Sequence, residues 1–185
     1  MRIVLATVLS GAVLGIDGYV VRVEADVGRG LPSFSTVGLG DSAVREGRDR
    51  VASALRNSGF KFPMERIVVN LAPANIRKEG AAFDLPIALA LLAATGQADA
   101  VSLMQVAAVG ELALDGTTRR VNGILPVAVA AEREGLRSLM VPAENAAEAA
   151  SLGSVEVLPV GSLSSAVRVL AGGPADEPPP ARPGA

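Results

Sequence analysis

Ten consecutive residues, Leu85 to Ala94, read LPIALALLAA, and none of them carries a polar side chain. The run is too short to cross a bilayer, which takes about 20 residues of helix. A helix with no polar face belongs in a core, so the rest of the chain has to build layers around this one. At 185 residues the chain is long enough for one sizeable domain to do so. Half of the residues are hydrophobic, yet there are only one Tyr, four Phe and no Trp. The core is therefore aliphatic, and few rings are left over to stack on single-stranded bases.

What is missing narrows the chemistry further. There is no Cys, which excludes disulfides and thiolate catalysis. There is no His either, which removes Ser–His pairs, imidazole metal ligands and histidine pH switching together. Zinc, which draws on those two residues, is not expected. Ser–Lys and Thr-based nucleophiles survive the elimination. A net charge of −2 and a pI near 5.2 give no overall attraction to nucleic acid or anionic membranes, so such binding would need a local basic patch. The N-terminal MRIVLATVLSGAVLGI has one Arg before an apolar run, in the manner of a weak secretion signal. Gly11 and Gly15 interrupt it and no A-x-A site follows, which leaves a first strand as the simpler reading.

Along the chain, residues 19–27 alternate, with Val21, Val23, Ala25 and Val27 on one face and Arg22, Glu24 and Asp26 on the other. That is a half-buried strand, joined to residues 3–9 through the GIDG turn as a hairpin. Residues 28–39 give a turn and a short strand. Asp41 opens a helix to about Asn57 that Gly59 closes, with Glu46 and Arg50 spaced for an ion pair. Gly47 in that helix costs about 1 kcal/mol relative to Ala and implies a close contact. Residues 66–71 form a strand, and Asp84 is positioned to cap the 85–95 helix. Strand 106–114 with a DG turn, helix 125–134, strand 138–142, helix 143–150, strand 155–160 and helix 162–171 complete an α+β pattern, a mixed sheet covered by helices. From Gly172 the Pro- and Gly-rich GGPADEPPPARPGA reads as a linker, so 1–171 is the domain.

The segment NLAPANIRKEGAAFDLPIALALLAATG, residues 70–96, joins a strand to the core helix through a charged glycine loop. No G-x-x-x-x-G-K-[ST] phosphate loop occurs in the chain. Arg77 and Lys78 before a helix start could hold an anion, or could be solvated loop charges. Glu79 with Asp84, or Glu111 with Asp115, could form a carboxylate pair, although capping and turn roles account for Asp84 and Asp115. No metal site is expected.

The order of four blocks is distinctive: GLPSFSTVGLGDSAVREGRDRVASALRNSG, RIVVNLAPANIRKEGAAFDLPIALALLAATG, VGELALDGTTRRVNGILPVAVAA and VPAENAAEA. Together they resemble the N-terminal domain of the ComM/YifB family of magnesium-chelatase-like AAA+ ATPases, over about residues 1–171. The resemblance implies a ribosomal protein S5 domain 2-like fold, shared with the proteolytic domain of Lon. It also implies an ATPase module beyond the linker that binds ATP and Mg2+, with no cofactor in residues 1–185. For the parent protein it implies a cytoplasmic, hexameric, ATP-driven helicase that migrates DNA branches in natural transformation.

Lon-type peptidases use a Ser–Lys dyad. The loop KEGAAFD puts Ala82 where that serine would stand, and NGIL puts Leu125 at the lysine. Ala supplies no nucleophile and Leu no base, so the resemblance implies the shape of an active site without its chemistry. Gly40, Gly47 and Asn75 depart from the family's usual Pro, Ser and Asp, which would loosen the local backbone.

Three functions follow for comparison. The first is a non-catalytic domain serving ring assembly or DNA contact, with Arg45, Arg48, Arg56, Arg77, Lys78, Arg119 and Arg120 as candidate contacts. Eight Lys and Arg lie between residues 45 and 78, but six acids between 41 and 84 largely balance them. The second is a hydrolase using Ser42, Ser53 or Thr95, for which only Lys61 and Lys78 could serve as activating lysines. The third is a stand-alone nucleic-acid- or protein-binding pseudo-protease domain.

Overall fold

The computed structural model describes residues 5–152 and 155–179. The elements run β1 (Leu5–Leu14), β2 (Asp17–Gly28), β3 (Ser33–Val37), α1 (Ser42–Asn57), β4 (Arg66–Ala72) and α2 (Asp84–Ala94). They continue with β5 (Val106–Ala108), β6 (Glu111–Leu112), β7 (Thr118–Arg119), α3 (Ile124–Arg133), β8 (Ser138–Pro142), α4 (Ala146–Ala150), β9 (Glu156–Val160) and α5 (Leu163–Leu170). Seven strands form one sheet in the order β3-β4-β2-β1-β5-β8-β9, and β6 with β7 makes a separate ribbon. The β1–β2 and β2–β4 pairings are antiparallel and the others in the large sheet are parallel, so the sheet is mixed and the domain α+β.

The strand alternation divides the core in two. Val8, Val23 and Leu71 share a cross-strand row, as do Ala6, Ala25 and Val69. These residues pack on one face of the sheet with α1, α2 and α5. Every residue of α2 is buried, as a helix with no polar face requires. The opposite face carries a smaller cluster in which Ala107, Leu139 and Val141 meet Ile124, Val127 and Ala128 of α3 and Ala146 and Ala149 of α4.

Two glycines set how closely α3 seats on the β1–β2 hairpin. A Cβ on Gly11 would collide with Val127, and one on Gly18 with the Pro126 carbonyl. Gly11, which as sequence only interrupts an apolar run, is thus a packing position.

Some expectations change. The single strand over 106–114 is broken: β5 ends at Ala108, Val109 N–H still donates to Met140 O at 3.0 Å, and Gly110 N–H turns away to Ala82 O at 2.9 Å. Asp84 does not cap α2; it is the helix's first residue, and no side chain caps that end. Glu46 is not the ion partner of Arg50, whose guanidinium reaches Asp84 instead. The segment after Gly172, expected to be a linker, begins docked. Asp176 N–H donates to Pro159 O at 2.9 Å, and its carboxylate accepts from Gly161 N–H and Arg168, each at 2.6 Å.

Candidate functional site

The junction of β4 with α2 is held by hydrogen bonds to the turn between β3 and α1. Lys78 N–H donates to Leu39 O at 2.9 Å, and Asp41 N–H donates to Lys78 O at 3.0 Å. The Asp41 carboxylate caps α1 by accepting from Val44 N–H at 2.8 Å, and it also accepts from Gly80 N–H at 3.2 Å. One acid therefore ties the start of α1 to the glycine loop. Leu39 takes a left-handed conformation, φ 59°, where this double attachment turns the chain.

Lys78 corrects the sequence reading. It is fully buried, and its ammonium donates to Gly38 O at 2.8 Å and to Pro73 O. Burial lowers its pKa. A group enclosed this way does not meet a phosphate; it fastens the β4–α2 loop to the turn between β3 and α1.

Asp84 is the second buried charge. Arg50 grips it in a fork, Nε to Oδ2 at 2.7 Å and Nη2 to Oδ1 at 3.1 Å, and Nη2 also donates to Ala43 O at 2.9 Å. Leu112 N–H adds a bond to Oδ2 at 3.2 Å. Desolvation pushes the carboxyl up to about 6, against the pull of Arg50 and the amide. Gly47 faces this pair, and a Cβ there would lie 2.6 Å from Asp84 Oδ1. A Cβ at Gly40 would lie 2.8 Å from Val44 Cγ1. Both departures from the resemblance are therefore close fits, not loosened backbone.

The two positions that would hold a dyad lie on this frame. Ala82 is half-buried against the smaller core cluster, and its carbonyl is fixed by Gly110. Leu125 is the second residue of α3, partly exposed, just after Gly123 at φ 77°. The segment before it is pinned by buried Asn145, whose side chain accepts from Val121 N–H and donates to Val121 O, each at 2.9 Å. Sequence reasoning missed Asn145; its only signal is a polar residue amid the apolar spacing of 141–149. Neither Ala82 nor Leu125 can attack a carbonyl or accept a proton. The proposed acid pairs are separated by their partners: Glu79 faces Arg77 at 3.4 Å, Glu111 lies 4.0 Å from Arg119, and Asp115 accepts from Thr117. Among the described residues no cluster of three acids converges on one point.

The remaining cations sort by environment. Arg120 pairs with Glu148 at 2.7 Å. Arg48 and Arg56 instead lie over aromatic rings, Phe34 at 6.0 Å and Phe62 at 5.3 Å, and those two rings stack at 6.5 Å. Arg45 donates to Gly40 O at 2.8 Å. At 3.6 residues per turn these three arginines share one exposed face of α1, with Asp49 among them. Among the described residues none of the three is ion-paired with a carboxylate.

Residues 23–145 match the family model described as subunit ChlI of Mg-chelatase. The chain belongs to that family. It is 48% identical over 145 residues to competence protein ComM of Haemophilus influenzae, covering 78% of this chain and 28% of that protein. YifB of Salmonella typhimurium is likewise 48% identical, over 144 residues, with 78% and 28% covered. More distantly, Lon protease 1 of Sorangium cellulosum is 27% identical over 140 residues, 72% of this chain and 17% of that protein. The ComM/YifB resemblance and the Lon-like fold read from the sequence both stand. The chain spans under a third of the length of these relatives.

Proposed function

We propose that this chain is the non-catalytic N-terminal domain of a longer AAA+ motor that moves branched DNA in recombination during natural transformation. In this reading the parent protein is a cytoplasmic hexamer that spends ATP with Mg2+ in a separate module, and the present domain serves ring assembly or DNA contact. Kinship with a competence protein supports it, as does an inert pair, Ala82 and Leu125, on a frame similar to Lon. No described helix is long and apolar enough to cross a membrane.

The observation that carries DNA contact is the arginine face of α1. Arg48 and Arg56 are ordered by ring faces rather than neutralised by carboxylates, so they keep their charge for an incoming polyanion. Lys78 is withdrawn from the candidate set by burial, and Arg77, Arg119 and Arg120 have acidic neighbours.

The test is titration of a labelled branched duplex at several salt concentrations, read by anisotropy. Joint replacement of Arg48 and Arg56 by Ala should weaken binding and make the log–log salt slope shallower by about 2. Unchanged affinity and slope in a folded double variant would remove DNA contact through this face.

A further inference from the structure

The two edges of the seven-stranded sheet are treated differently. At β9, Pro159 has no N–H, and its carbonyl is already taken by Asp176 N–H from the docked segment. That edge is closed by the devices that ordinarily stop strand addition. At β3, Ser33 N–H donates inward to Glu65 O at 3.3 Å. The alternation of a parallel ladder then turns the N–H and C=O of Phe34 and Thr36 outward. Among the described residues none bonds them.

The surrounding sequence guards this edge only at its start, where Pro32, which has no N–H, precedes β3; residues 33–37 carry no such guard. Gly30 to Gly40 is a run of eleven residues without a charge, although charged side chains are the usual protection of an edge. Leu31 is 88% exposed, Leu39 56% and Val37 48%. We propose that the β3 edge is a self-association surface, on which β3 of a second copy pairs antiparallel about a two-fold axis at Ser35. The register is self-complementary. Phe34 meets Thr36 of the other copy, Ser33 meets Val37, and exposed Leu31 falls at the same end as exposed Leu39. No like charges are opposed within the paired strands. The contact is isologous, unlike the head-to-tail contact of a ring, and it does not depend on the DNA-contact reading.

The absence of cysteine makes the register directly testable. With Phe34 and Thr36 hydrogen-bonded across the axis, Ser35 faces its own copy as a non-hydrogen-bonded pair, with Cα atoms about 4.5 Å apart. That separation suits a disulfide. Under mild oxidation of the 185-residue chain, Ser35→Cys should cross-link to a dimer, and Gln105→Cys, exposed elsewhere, should not. Sedimentation should show a concentration-dependent dimer in the parent chain. Thr36→Pro removes an outward N–H and leaves the β4 ladder intact, so it should abolish the dimer. Should Thr36→Pro fail to fold, Leu31→Glu provides the same test at an exposed side chain, with dimer affinity lowered about tenfold.

A monomer at all concentrations, or cross-linking no greater at residue 35 than at 105, would overturn the proposal. So would a dimer indifferent to both Thr36→Pro and Leu31→Glu, which would place the contact elsewhere. A monomer whose β3 captures an extended peptide would transfer the edge to another occupant and equally refute self-pairing.

Discussion

Asp84 joins α1 to α2 by holding Arg50 in an almost dry setting, and its neighbour Gly47 makes the room. Ala is ordinarily worth about 1 kcal/mol more than Gly inside a helix. Gly47→Ala should nonetheless destabilise, by about 1–3 kcal/mol, because its methyl group would press on Asp84 Oδ1. Urea unfolding reads the sign, and a stabilised variant would refute the close fit. The raised pKa has its own signature. The folded carboxyl titrates near 6 and the unfolded one near 3.8, so the folded state holds the proton more tightly between those values. Stability from this group is present below about pH 4 and is lost as pH rises through about 6. The difference in unfolding free energy between the parent chain and Asp84→Asn, followed over that range, should fall as pH increases; a flat difference would count against it. As sequence, an Asp before an apolar helix reads as a cap, and an Arg–Lys pair in a glycine loop reads as surface charge. The partners that decide otherwise are remote: Arg50 lies 34 residues from Asp84, and Gly38 lies 40 from Lys78.

Helix α3 and the β1–β2 hairpin make a contact with almost no clearance, where backbone meets backbone at Gly18 and Pro126. Gly18→Ala should therefore cost about 2–3 kcal/mol, at the upper end of overpacking effects. Gly28→Ala, at a strand position with nothing within 4 Å of the added carbon, should be neutral or slightly stabilising. Parallel thermal melts of the two variants would check this, and equal melting temperatures would show that α3 can shift away. Periodicity made β2, α1, α3 and α5 legible to within a residue or two, because each has one buried face, whereas β8, buried on both faces, and β9 were legible as short apolar runs. It failed at 106–114, where the apolar residues serve two different structures. Val106 to Ala108 belong to the large sheet, and Leu112 packs under α2 from the separate ribbon.

For the whole molecule, the α+β class and the aliphatic core followed from composition and alternation, whereas the unequal sheet edges did not. Strand order is set by long-range pairing, which no local pattern encodes. The polar tail looked free because Pro, Gly and charge suggest a solvated chain, yet the Asp176 carboxylate, with backbone bonds from Asp176 N–H to Pro159 O and from Gly173 N–H to Arg168 O, docks its first residues on α5 and the end of β9. Asp176→Ala should make residues 172–179 more susceptible to limited proteolysis and speed amide exchange at Gly161; unchanged cleavage would show that the tail is held by other contacts. The clamp also sets a length. The reach of anything beyond the described residues is measured from Asp176 and not from Leu170. The six residues taken up shorten its fully extended radius by about 20 Å, a distance comparable with the width of a DNA duplex.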